Sequence, residues 1–179
     1  MKLVPIPEKK YKDYRLDVIF NCYKWDPQFL DNNTIAKYAL VLTEKEHEEL
    51  KKLTEDVDKE TIESEIYLNN NLELAKPLAL NKKLYAELKK MNNYYPNRHI
   101  RLMRYDFHPV KGNKWALSEV NSDVPGGFAE SSLMPEVARK LFKKEKYDFI
   151  NFGDILVSAI TKKVPKNGNI MMVPCTSYT

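Results

Sequence analysis

Cysteine is scarce in this chain: Cys22 and Cys175 are the only two, far apart and without ligand-like spacing. That argues against both a disulfide framework and a cysteine zinc site. Long apolar runs are missing too, so nothing approaches the roughly twenty residues of a membrane-spanning helix. Residues 1–10 lack the apolar central stretch of a secretory signal. No membrane partner is expected, and a cytoplasmic location follows by default. Charge of one sign is equally missing. The 29 basic and 25 acidic residues leave +4, with much of the excess in lysines beside glutamates at 43–52 and 140–146. Such mixed runs are solvated helix faces. A nucleic-acid partner would require a basic stripe with interleaved aromatics, which the sequence does not show. Internal repeats and low-complexity tracts are also absent.

What is present describes an ordinary globular protein. The chain has 179 residues, 43% hydrophobic and 30% charged, enough for one domain or somewhat more around a proper core. The first forty residues show few clear periods, and 35–42 reads as a short apolar element. Thr43 and Glu46 have the spacing of a capping box. A helix is expected to follow, with Leu50, Leu53 and Val57 on its buried stripe and an end at 69–71. A second helix is predicted from Asn81, with Leu84, Leu88 and Met91 along one face. It stops in the stretch 92–97, which contains Pro96.

From Arg98 the texture changes. Residues 99–108 alternate, 109–113 is turn-rich, and 114–121 alternates again, which is the pattern of a β-hairpin. A loop with Pro125, Gly126 and Gly127 follows. A helix is expected from near Pro135, which suits a first-turn position, with Val137, Ala138 and Leu141 inward and Ser131 and Ser132 as caps. Another is expected over 154–162, with Ile155, Ala159 and Ile160 inward. After a turn at 166–169, a strand is predicted from Ile170. The fold class expected is α/β or α+β: a helical part over 1–97, a hairpin and loop over 98–132, and over 133–179 the start of a layer that stops inside a domain.

Chemistry concentrates on the hairpin. Residues two apart on a strand share a face, which puts Arg104 with Asp106 and Glu119 with Asn121. Two carboxylates and an amide oxygen are hard donors of the kind magnesium takes, with water and nucleotide phosphates completing an octahedron. The planar fork of Arg104 suits a phosphate oxygen. For both pairs to share one face, the numbers of facing residues must sum to an odd value. The hairpin loop must then hold an even number of residues, as 109–114 would, or a β-bulge must supply the shift. A plain hairpin with one polar side would alternate in the same way. His108 shares the strand face of Asp106, while His47 and His99 receive no role. Cys22 reads as structural.

The segment Arg104-Tyr105-Asp106-Phe107, followed after about a dozen residues by Ser118-Glu119-Val120-Asn121-Ser122-Asp123-Val124-Pro125-Gly126-Gly127-Phe128-Ala129-Glu130, resembles the glutathionylspermidine synthase family. The likeness falls in that family's pre-ATP-grasp and ATP-grasp region. It is specific over 101–132, looser to the end and faint before Arg98. It implies a circularly permuted ATP-grasp ligase in which Asp106, Glu119 and Asn121 hold Mg2+ between ATP phosphates. By the same likeness Arg104 is catalytic, stabilising the phosphoryl group in flight and the acyl-phosphate it forms. Ser122, Asp123, Gly126, Gly127 and Glu130 would contact substrate. The implied reaction activates a small-molecule or peptide carboxylate with ATP, and an amine then displaces phosphate to give an amide. A Rossmann-like layer and the remainder of the ATP-grasp domain would complete the enzyme, and residues 1–179 alone are expected not to turn over. Val124 to Gly127 stand where the family carries hydroxyl residues that help hold glutathione, so another carboxylate fits equally well. A non-catalytic nucleotide- or peptide-binding or regulatory module of the same fold is the alternative. A metal-dependent phosphoesterase would need a water-activating base that this region does not supply.

Overall fold

The computed structural model describes residues 1–91, 101–112, 114–122, 125–142 and 147–171. These residues form helices and three two-stranded sheets, an α+β architecture. In chain order they are β1 (Lys2–Pro5), α1 (Glu8–Asn21), β2 (Gln28–Phe29), β3 (Asn32–Asn33), β4 (Tyr38–Val41), α2 (Glu44–Asn70), a 3₁₀ helix (Leu72–Leu78), α3 (Lys82–Lys90), β5 (Arg104–Val110), β6 (Lys114–Asn121), α4 (Phe128–Leu141) and α5 (Phe152–Thr161). Among the described residues no helix is long and apolar enough to cross a membrane. The chain divides into two compact units, one of residues 1–2 and 41–125, the other of 3–40 and 126–179.

The second unit holds most of the core. Tyr14, Val18 and Cys22 follow one another at i, i+4 spacing, so a single row of α1 turns inward. They cluster with Ile6, Ile35, Val137 and Phe142, and Leu133, Met134, Ala138 and Leu141 of α4 pack around them. Val137, Ala138 and Leu141 thus face inward as the helical spacing predicts. Complete burial of a valine such as Val18 contributes about 1.5–3 kcal/mol. The Tyr11 hydroxyl donates to the Ile35 carbonyl at 2.5 Å and accepts from the Asn33 amide at 2.6 Å, tying the segment before β4 to α1.

Several expectations in this unit are corrected. α4 begins at Phe128, and Pro135 lies inside it. Gly127 caps the helix in the left-handed region, at φ +87°, which glycine adopts without a Cβ penalty. Ser131 and Ser132 are therefore not caps. Both lie within the first turns and return their hydroxyls to the Phe128 carbonyl, at 3.1 and 2.7 Å. α5 starts two residues earlier than predicted, on an Asn151 cap that accepts from the Asp154 amide. Its Ile155, Ala159 and Ile160 are exposed rather than inward. Ile170 and Met171 are exposed and belong to no strand; the rest of that predicted strand lies outside the described residues.

In the first unit the predicted capping box is present. The Glu46 amide donates to the Thr43 hydroxyl at 3.3 Å, and the Thr43 amide donates to the Glu46 carboxylate at 2.9 Å. α2 runs to Asn70, with Leu50, Leu53 and Val57 half-buried. α3 starts where expected, the Asn81 side chain accepting from the Lys83 amide at 2.8 Å. Leu84 and Met91 remain exposed, so the apolar face predicted for α3 is largely uncovered. The stretch proposed to end α3 lies outside the described residues.

Candidate phosphate and metal site on the β5–β6 hairpin

The hairpin differs from its sequence pattern in one respect that decides the register. β5 starts at Arg104 and runs through Pro109 to Val110, so the loop is the three residues 111–113 between Val110 and Lys114. Gly112 turns it at φ +82°. A three-residue loop is odd, and near the turn it pairs Phe107 with Leu117 and His108 with Ala116. Continued without a break, that register would leave Asp106 facing Ser118 and would send Glu119 to the opposite face. A bulge intervenes between Asp106 and Phe107, and beyond it Asp106 pairs with Glu119, Tyr105 with Val120 and Arg104 with Asn121. Ser118 is the extra residue. Its hydroxyl donates to the Asp106 carbonyl at 3.0 Å and holds the bulge from the side. The second of the two ways of meeting the register condition is therefore the one used.

Directly facing residues of an antiparallel pair have Cβ atoms about 4.5–5.5 Å apart. Asp106 and Glu119 are thus brought side by side, with Arg104 and Asn121 one pleat along. Arg104, Asp106 and Asn121 are half-buried and Glu119 is exposed. The Arg104 guanidinium meets the Asp106 carboxylate as a fork, Nε to Oδ1 at 2.8 Å and Nη2 to Oδ2 at 3.0 Å. That pair of bonds holds the Asp106 carboxyl below the usual carboxylate range; burial opposes it, and the charges of Arg104 and His108 add to it. The guanidinium is held charged still more firmly, first by its bond to Asp106 and, less strongly, by the charges of Asp106 and Glu119. One cationic fork therefore lies beside two carboxylates.

The opposite face of β5 fixes the hairpin to α2. The Tyr105 hydroxyl donates to Asp58 at 2.9 Å. Arg101 donates to Asp58 at 3.2 Å and to Glu65 at 2.8 Å. Burial, and then the bond to Asp58, push the Tyr105 hydroxyl above its ordinary pKa. Neither Ser118 nor this Arg101, Tyr105 and Asp58 cluster stands out in the sequence. The odd loop carries a signal for Ser118, and strand alternation one for Tyr105.

The remaining candidates follow the hairpin in the chain. Ser122 is exposed at the end of β6, and Asp123 lies outside the described residues. Gly126 and Gly127 are exposed, and a Cβ at either would meet nothing within 4 Å. Glu130 sits in the first turn of α4, where the helix dipole favours a carboxylate, with Lys24 at 3.9 Å. Among the described residues no group of three or more His, Cys, Asp or Glu side chains is arranged to hold a metal. The hairpin set is two carboxylates and an amide, oxygen donors that fit magnesium when phosphate and water supply the other positions. No protein-family model, curated protein or solved structure matches the chain.

Proposed function

We propose that this chain carries the metal- and phosphate-handling hairpin of an ATP-dependent carboxylate–amine ligase resembling glutathionylspermidine synthases, with the remainder of an ATP-grasp domain as its partner. The observation that supports this reading is the bulged register, which sets Asp106 against Glu119 and Arg104 against Asn121. In the proposed role Asp106, Glu119 and Asn121 would hold Mg2+, which when bound supplies charge compensation for the ATP phosphates. Arg104 would donate from its fork to the transferring phosphoryl group, where negative charge accumulates as the carboxylate is activated. The amine that displaces phosphate, the carboxylate and a cytoplasmic setting belong to the same proposal.

The alternative is a nucleotide- or peptide-binding or regulatory module of the same fold without catalysis, and the bidentate Arg104–Asp106 bond also suits a plain structural hairpin. Magnesium-dependent ATP binding separates a phosphate site from a purely structural hairpin. Isothermal titration with Mg2+ and ATP is expected to show binding to the chain, with at least a tenfold loss in Asp106→Ala and in Glu119→Ala at unchanged far-UV circular dichroism. Equal binding in all three proteins would rule the site out. Amide formation by the chain joined to its ATP-grasp partner then separates ligase from module.

A further inference from the structure

The fork on Asp106 has a consequence for how the site is loaded. A guanidinium bonded to both oxygens of Asp106, and close enough to Glu119 to feel its charge, takes up the carboxylate directions that a metal ion would use. A divalent ion arriving alone must break two charge-assisted bonds and leave a cation beside itself, whereas a phosphate group offers the same fork an equivalent bidentate partner. Resting on the ligase reading above, we propose that Arg104 is a latch on the cation site, so that metal and nucleotide phosphate enter together and neither binds well alone. The fork and the carboxylate it covers, Arg104 and Asp106, lie on the same face of β5, and the latch opens by rotation of the Arg104 side chain away from Asp106. Half-exposure of both partners leaves room for that rotation and keeps the bond weak enough to exchange. Asn121, the residue facing Arg104, is neutral and offers the departing fork no competing charge.

The test uses Mn2+ as a paramagnetic probe on the full chain, following broadening of the β5 and β6 amide signals, with and without ATP. In the wild type, broadening by Mn2+ alone is expected only at concentrations at least tenfold above those sufficient with ATP. In Arg104→Gln, Mn2+ alone is expected to broaden the same amides at tenfold or more lower concentration than in the wild type, with little further gain from ATP. Arg104→Lys keeps the charge and loses the fork, and is expected to fall between them. It also serves if the glutamine variant is poorly folded. The latch is overturned, and the ligase reading kept, if Mn2+ with ATP broadens the wild type while Arg104→Gln and Arg104→Lys respond to Mn2+ alone no better than it does. It is likewise overturned if the wild type responds equally with and without ATP. Absence of broadening in every variant, with ATP present, would overturn the metal-site reading itself.

Discussion

Glu46 illustrates how much a single exposed carboxylate is shaped by its partners. It accepts from the chain's amino group at Met1, from the Thr43 amide and from the Thr43 hydroxyl. The amino group is the strongest of these influences and the Thr43 amide the next, and together they lower the Glu46 pKa to about 2. A carboxyl depressed in the folded state supports the fold above its unfolded pKa, about 4.3 for glutamate, and loses that support as pH falls through the folded value. The first turn of α2 is therefore expected to keep its amide protection down to pH about 3 and to lose it near 2. The side-chain carboxyl resonance of Glu46, followed by NMR, is expected to titrate with the same midpoint. High salt should raise that midpoint by screening the amino group, and Glu46→Gln should abolish the pH step while keeping an acceptor for Thr43. A midpoint in the ordinary glutamate range would show that the carboxylate does not hold these partners in solution.

At the scale of the element, the β5–β6 hairpin depends on one inserted residue. Deleting Ser118 removes the bulge and carries the register of the turn through to Arg104. Asp106 then faces the old Glu119 from a strand whose pairing is regular, and the cross-strand twist that the bulge adds is lost. The Ser118 hydroxyl bond to the Asp106 carbonyl goes with it. Ser118→Ala separates these effects, since it keeps the bulge and loses only a bond worth about 1 kcal/mol. Both variants leave Asp106 facing Glu119 and Arg104 facing Asn121, so both are expected to retain Mg2+-dependent ATP binding within threefold, as measured by titration calorimetry. A loss of tenfold or more in the deletion alone would show that the site needs the twist of the bulge as well as the pairing. The bulge also marks the limit of what the sequence reveals. Alternation exposes the two strands and the pairs within each, but loop length and bulge trade against one another, and only the pairing tells which was used. The box of Thr43 and Glu46 was legible because capping is local chemistry. α1 was not: its inward row of Tyr14, Val18 and Cys22 is surrounded by charged residues, and no capping side chain announces it. Pro135 misled because proline suits a first turn, whereas here Gly127 had already started the helix.

Across the whole molecule, burial is uneven between the two units. The clustered core residues Ile6, Tyr14, Val18, Cys22, Ile35, Val137 and Phe142 all belong to the second unit. In the first, Ala75 is the buried hydrophobic residue among those described, and α2 and α3 contribute none. Helices owe most of their stability in water to packing of an apolar face rather than to propensity. α2 and α3 should therefore open at lower free energy than α1 and α4. Native-state hydrogen exchange is expected to find the slowest amides around Val18 and Val137, and faster exchange along α2 despite its 27 residues. Val18→Ala removes two buried methyl groups from a fully enclosed position and leaves a cavity, at a cost of about 2 kcal/mol. That substitution is expected to speed exchange across α1 and α4 by roughly thirtyfold, the equivalent of that free energy. Slow exchange in α2 exceeding that of α1, or no response of α4 to Val18→Ala, would mean that the stable core lies elsewhere than this cluster.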